Sequence, residues 1–177
     1  MRALRNWRAR KAWAERLAAP PARPREPFRW GKGARILVLA DRDAPDTVRA
    51  VQVLVEAQTR RGAQVQSLWW TAAKLPPEQR SDDIWGPHAL DFSELPRPEA
   101  EKPYRRHGYD LVVHAGLAPF APFDYLVGGL QAHRRVAGYA DAPASYDLIV
   151  GLKPGAGVAE LLQETVRLIE LIRPEYA

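Results

Sequence analysis

Polar residues whose types could do chemistry stand at the ends of the apolar runs of this 177-residue chain. Asp41, Arg42 and Asp43 follow the first run, His114 and Gly116 close another, Asp141 follows a later one, and Lys153 lies in Gly151-Leu-Lys-Pro-Gly-Ala-Gly157. Ligands of open α/β sheets bind at the carboxyl ends of the strands, so Asp41, His114, Asp141 and Lys153 outline a candidate cleft. There a histidine partnered by Asp41 or Asp141 would serve as a base, and the lysine with the backbone N–H groups of a glycine-containing turn would hold an anion.

The finer patterns are missing. The 151–157 segment is neither G-x-G-x-x-G nor G-x-x-x-x-G-K-[ST], and the turn after the first run, where a dinucleotide loop belongs, has no glycine. No serine stands in a nucleophile elbow. A glycine-proline turn and a histidine satisfied at a sheet edge account for these residues. No catalytic residue is assigned, no cofactor is expected, and the expectation leans away from an enzyme. With no cysteine and four scattered histidines, neither a disulfide nor a metal site is expected.

The second chemical signal is charge. Residues 1–35 carry eleven Lys or Arg against Glu15 and Glu26, a balance of +9, while the remaining residues carry fifteen basic and nineteen acidic side chains, a balance of −4. The basic character of the chain therefore comes from its first segment, which a polyanion would meet first. At 100° per residue, Leu4, Trp7, Trp13 and Leu17 share one half of a helix with several alanines, and Arg2, Arg5, Arg8 and Arg16 share the other. Packing of the apolar half on the body would explain the tryptophans, but not the scarcity of acids. The segment is therefore read as a nucleic-acid-binding arm. Arg2, Arg5, Arg8, Arg10, Lys11, Arg16, Arg23, Arg25 and Arg29 are its phosphate contacts, and Trp7 and Trp13 its stacking or packing residues. Trp7 and Trp13 opposite arginines also suit an interfacial helix on an anionic membrane surface.

The elements that must position these residues follow from hydrophobic periodicity. Residues 1–19 form the basic arm, detached from the body, and residues 20–33 form a linker in which Pro20, Pro21, Pro24 and Pro27 end the helix and Phe28 and Trp30 pin the chain back. Residues 34–177 form a single α/β domain. A buried strand is expected over 34–40, a helix over 44–61 closed by Gly62, and a second, parallel strand over 63–70. Prolines interrupt residues 71–107, an irregular excursion with at most a short strand at 89–92. Then come a strand over 109–116, a helix over 122–134, strands over 136–139 and 147–152, and a helix over 158–172. The sum is a Rossmann-like three-layer sandwich with a mostly parallel sheet. Arg60-Arg61 and Arg134-Arg135 read as solvated helix ends, and Trp69, Trp70 and Trp85 as core-closing aromatics.

The succession Tyr109-Asp-Leu-Val-Val, Tyr125-Leu-Val-Gly-Gly-Leu-Gln-Ala-His-Arg-Arg-Val-Ala-Gly-Tyr and Tyr146-Asp-Leu-Ile-Val resembles a family of short bacterial α/β proteins of unknown function. Those proteins also begin with a Lys/Arg-rich helix. Residues 130–139 are also faintly similar to one half of two-domain sugar-nucleotide transferases. The first resemblance implies the fold and the arm but no catalytic residue; the second implies a nucleotide or sugar phosphate at the strand ends. No apolar run approaches the roughly 20 residues needed to cross a bilayer, and arginines interrupt any signal-peptide core, so a cytoplasmic address is expected. An Arg-rich start also describes a mitochondrial transit peptide, which ranks below retention because the chain begins at Met1. The expected partner is structured RNA, as on the ribosome, with an anionic membrane surface as the alternative.

Overall fold

The first strand, β1 (Arg35–Asp41), is a run of Ile, Leu, Val, Leu and Ala bounded by charged residues, and only those two ends are exposed. Its alternating side chains feed two cores, as a strand covered on both faces requires. Ile36, Val38 and Ala40 enter one, Leu37 and Leu39 the other. The computed structural model describes residues 11–16 and 23–172. Six parallel strands form one sheet in the order β3-β2-β1-β4-β5-β6, with β2 (Gln64–Trp70), β3 (Ile84–Trp85), β4 (Gly108–Ala115), β5 (Gln131–Ala137) and β6 (Leu148–Ile149). The chain is an α/β, Rossmann-like sandwich, and this strand order is that of the doubly wound dinucleotide-binding folds.

Helices α1 (Pro45–Arg60) and α4 (Val158–Ile172) pack together over one face of the sheet. They bury Val51, Leu54, Leu161, Leu162 and Ile169 against the first core. Pro45 fits the first turn of α1, where its missing N–H costs nothing, and Gly62 follows the helix at φ +84°, a left-handed position that suits glycine. Helices α2 (Pro98–Arg105) and α3 (Ala121–Gly129) supply the other face, where Tyr104, Phe123, Leu126 and Val127 pack with Trp85.

Several expectations need correction. The excursion at 71–107 contains β3, α2 and two short 3-10 turns, Pro77–Gln79 and Pro87–Ala89. Of the prolines that hid them, Pro98 stands in the first turn of α2, where a helix tolerates it, while Pro103 lies inside that helix. Residues 89–92 form no strand; Leu90 makes only an isolated antiparallel bridge to Pro96. Helix α3 stops at Gly129, because Gly128-Gly129 weakens the helix and Leu130 is already extended, so Arg134 and Arg135 lie inside β5 rather than at a helix end. The strand expected over 147–152 shrinks to Leu148–Ile149. The helical residues 11–16 are also not detached. They lie on the body, with Trp13 edge-on to Tyr125 at 5.6 Å and Arg16 over the same ring at 4.0 Å. Residues 1–10 and 17–22 lie outside the described residues, and with them Arg2, Arg5, Trp7, Arg8 and Arg10.

Candidate functional site

At the carboxyl edge of the sheet, the acids that follow β1 are already engaged. Asp41 accepts the Asp43 backbone N–H at 2.8 Å, and Asp43 accepts the Thr71 hydroxyl and the Ala72 N–H at 2.7 Å each, which ties the turn after β1 to the end of β2. Asp141 and Lys153 are exposed, and no hydrogen bond or ion pair among the described residues joins Asp41, Asp141 or Lys153 to His114. At the entrance to α4 the Gly157 N–H donates to Glu160 at 3.0 Å, so this helix start is capped from within. The four residues of the expected cleft are not drawn into one constellation.

His114 has a carboxylate partner, but it is Asp124 on α3 and not Asp41 or Asp141. Asp124 Oδ1 lies 3.3 Å from His114 Nδ1 and accepts hydroxyl protons from Tyr139 and, at 2.7 Å, from Tyr146. All four residues are buried. Burial would raise the Asp124 carboxyl, but hydrogen bonds from His114, Tyr139 and Tyr146 outweigh it and hold the carboxyl below its ordinary range. Burial first, and the neighbouring carboxylate second, push both tyrosine hydroxyls upward, so they stay protonated.

Counting protons then fixes the role of His114 Nδ1. Each tyrosine spends its one proton on Asp124, an ionised carboxylate only accepts, and His114 Nδ1 lies 3.1 and 3.3 Å from the two hydroxyl oxygens. Nδ1 must therefore carry the hydrogen. Nε2 lies beside Gly116, where a Cβ would come within 2.9 Å of it. Asp124, Tyr139 and Tyr146 were not picked out from sequence, since single polar residues amid aromatics give no spacing signal.

The opposite, amino edge carries the basic groups. Asp110, in β4, accepts the backbone N–H of Arg29 at 2.7 Å and of Arg35 at 2.9 Å, which clips the linker to β1. Asp147, just before β6, pairs with Arg23 and accepts the Arg135 backbone N–H at 2.9 Å. Between the linker and the first residues of β1, β4 and β5 lies a cavity of about 380 Å³ lined by Arg23, Arg25, Arg29, Arg35 and His133 among others.

Of the arm residues described, Lys11 is exposed and lies 3.9 Å from Glu15, and Arg25 is exposed. Arg29 faces Glu26 at 3.6 Å. Arg16 is turned inward: its guanidinium grips the buried Glu101 carboxylate at 3.0 to 3.2 Å and is not open to a phosphate. Trp13 is likewise used on the body. The signal for the clips was the repeated Tyr-Asp-Leu-aliphatic-Val at 109–113 and 146–150, whose aspartates hold the linker at both sites.

Among the described residues, no group of three or more His, Asp or Glu is placed to hold a metal ion, and no helix is long and apolar enough to cross a membrane. No protein-family model, curated protein or solved structure matches the chain. What the chain is similar to thus rests on its fold class, and fold alone assigns no activity.

Proposed function

We propose that this protein is a non-enzymatic binding protein whose basic N-terminal arm contacts structured RNA, as on a ribosome. The observation that carries the reading is the charge asymmetry, +9 over residues 1–35 against −4 over the rest. Counterion release makes such a segment bind polyanions strongly and with steep salt dependence. Supporting it, the linker is fastened so that Arg25, Arg29 and Arg35 gather at the amino edge of the sheet and add basic groups of the body to the charge of the arm. An interfacial helix on anionic lipid would need its tryptophans free, and Trp13 is occupied by Tyr125. An enzyme at the carboxyl edge would need polar groups that are not already tied to one another, as Asp41 and Asp43 are.

The test keeps the full chain and leaves Arg16 alone. Arg2, Arg5, Arg8 and Arg10 are replaced together by glutamine, and binding to structured RNA and to anionic vesicles is measured across salt concentrations. The variant is expected to lose RNA affinity and to show a shallower log-affinity against log-salt slope, by roughly 0.7 to 0.9 for each phosphate no longer neutralised. An unchanged affinity and slope would refute the reading, and binding to vesicles but not RNA would replace it with the membrane one.

A further inference from the structure

We propose that the cavity beneath the linker, at the amino edge of β1, β4 and β5, is a binding site for a phosphate group. Arg23, Arg25, Arg29 and Arg35 line it against Glu26 and Asp110, so its walls carry a formal +2. The acids are already engaged. Both oxygens of Asp110 accept backbone N–H groups, and Glu26 faces Arg29. Arg23 is committed to Asp147. Arg25 and Arg35 are left with guanidinium groups that make no hydrogen bond or ion pair among the described residues.

His133 lines the same cavity. Two guanidinium forks together ask for more acceptors than the two oxygens of a carboxylate, and a phosphate group offers them in the geometry arginine matches best. The volume lies at the lower end of the roughly 300 to 1,000 Å³ of small-molecule sites, room for a phosphate and part of what it is attached to. Two sources share this chemistry: a phosphate of RNA, a source that rests on the proposed function, or a free phosphorylated small molecule, which does not.

The experiment is an NMR titration of the full chain, following the Gly108 and Gln131 amides and the His133 ring. The probes are inorganic phosphate and one short RNA in 5′-phosphorylated and 5′-hydroxyl forms. Phosphate is expected to shift these signals saturably. Arg25→Gln with Arg35→Gln should weaken binding at least tenfold, and Arg25→Lys with Arg35→Lys should restore only part of it, since lysine keeps the charge but not the fork. A thermal melt checks folding, and if the glutamine variant does not fold, the wild-type titration decides.

The four-arginine arm variant should bind phosphate as the wild type does while losing RNA. A preference for the 5′-phosphorylated RNA over both inorganic phosphate and the 5′-hydroxyl form assigns the site to RNA. Binding of phosphate with no RNA affinity anywhere keeps the site, assigns it to a free phosphorylated compound and refutes the RNA reading. No saturable shift with any probe, even where RNA binds the arm, overturns the site alone.

Discussion

Replacing Gly129 by alanine should destabilise the wild-type chain and have the opposite effect once Arg16 is gone. A Cβ at Gly129 would overlap Arg16 Nη1 and lie 2.8 Å from its Cζ, and one at Gly128 would lie 3.2 Å from Arg16 Cγ. The Gly-Gly pair is the floor on which the guanidinium rests. Arginine is flexible, so the clash is relieved by swinging it away, and the cost is what the swing breaks. Glu101, with a side chain only 4% exposed, loses its closest cation.

Removing one partner of a buried pair costs about 3 to 5 kcal/mol. Arg105 lies 3.8 Å from the same carboxylate and offsets part of this, which brings the loss to about 2 kcal/mol. The Arg16 contact with the Tyr125 ring contributes about 0.5 to 1 kcal/mol more. Against this, alanine is a better helix former than glycine by up to about 1 kcal/mol, and Gly129 has no positive φ to make it necessary.

Gly129→Ala should therefore destabilise the wild type by about 1 to 3 kcal/mol and leave the Arg16→Ala background unchanged or up to about 1 kcal/mol more stable. Urea unfolding followed by tryptophan fluorescence gives all four corners of the cycle. Effects that add to within about 0.5 kcal/mol would mean that Arg16 does not occupy this seat in solution, and the docking of residues 11–16 would fall with it.

Asp124→Ala strips the acceptor from two tyrosine hydroxyls and the His114 N–H, and should cost about 3 to 5 kcal/mol in urea unfolding; a loss under about 1 kcal/mol would contradict the network. Nitrogen-15 spectra should show a proton on His114 Nδ1, and a bare Nδ1 would break the proton count. Because the folded Asp124 carboxyl is held below its unfolded value of about 3.9, its contribution is present above that pH and lost as pH falls through the lower folded value. The stability gap between wild type and Asp124→Asn should therefore be steady above about pH 4 and close below it. Tyr109, pushed up to about 12 by burial, and Tyr104, Tyr139 and Tyr146, also pushed up chiefly by burial, ionise more readily when unfolded, so stability should decline above about pH 10; a flat alkaline limb would contradict their burial.

The parts of the fold that could be read from sequence are those whose pattern is local and repeated. Aliphatic runs in β1 and β4 and the long apolar stripe of α4 announced themselves, the last with both ends as expected. Strand β5 did not, because Gln131, His133, Arg134 and Arg135 are poor strand formers held by pairing with β4 and by Asp147, a tertiary cause that propensity does not contain. The site was legible in the same uneven way. His114 stood out by its place at a strand end, but its partner Asp124 comes from a helix and Tyr139 and Tyr146 from loops, so only folding assembles them. Arg16 counted as one more arm cation until Glu101, a carboxylate that charge counting places in solvent, proved to be buried beneath it.

The arm and the body are coupled at the fastenings themselves. Arg16 on Glu101, Arg23 on Asp147 and the Arg29 N–H on Asp110 are spaced along the described part of the arm and linker, and each engages an acid of the body. These contacts neutralise Arg16 and Arg23, and the Asp110 clip uses backbone rather than side chain. Arg25 and Arg35 keep their charge at the amino edge, where self-repulsion among cations would otherwise drive the linker away. Removal of residues 1–30 therefore cannot isolate the contribution of arm charge. It leaves Glu101 and Asp147 without Arg16 and Arg23 and frees one oxygen of Asp110, so such a truncation would lose stability as well as any affinity. Charge substitutions at positions that do not fasten the chain separate the two effects, and a truncation that kept full stability would show that the fastenings contribute nothing.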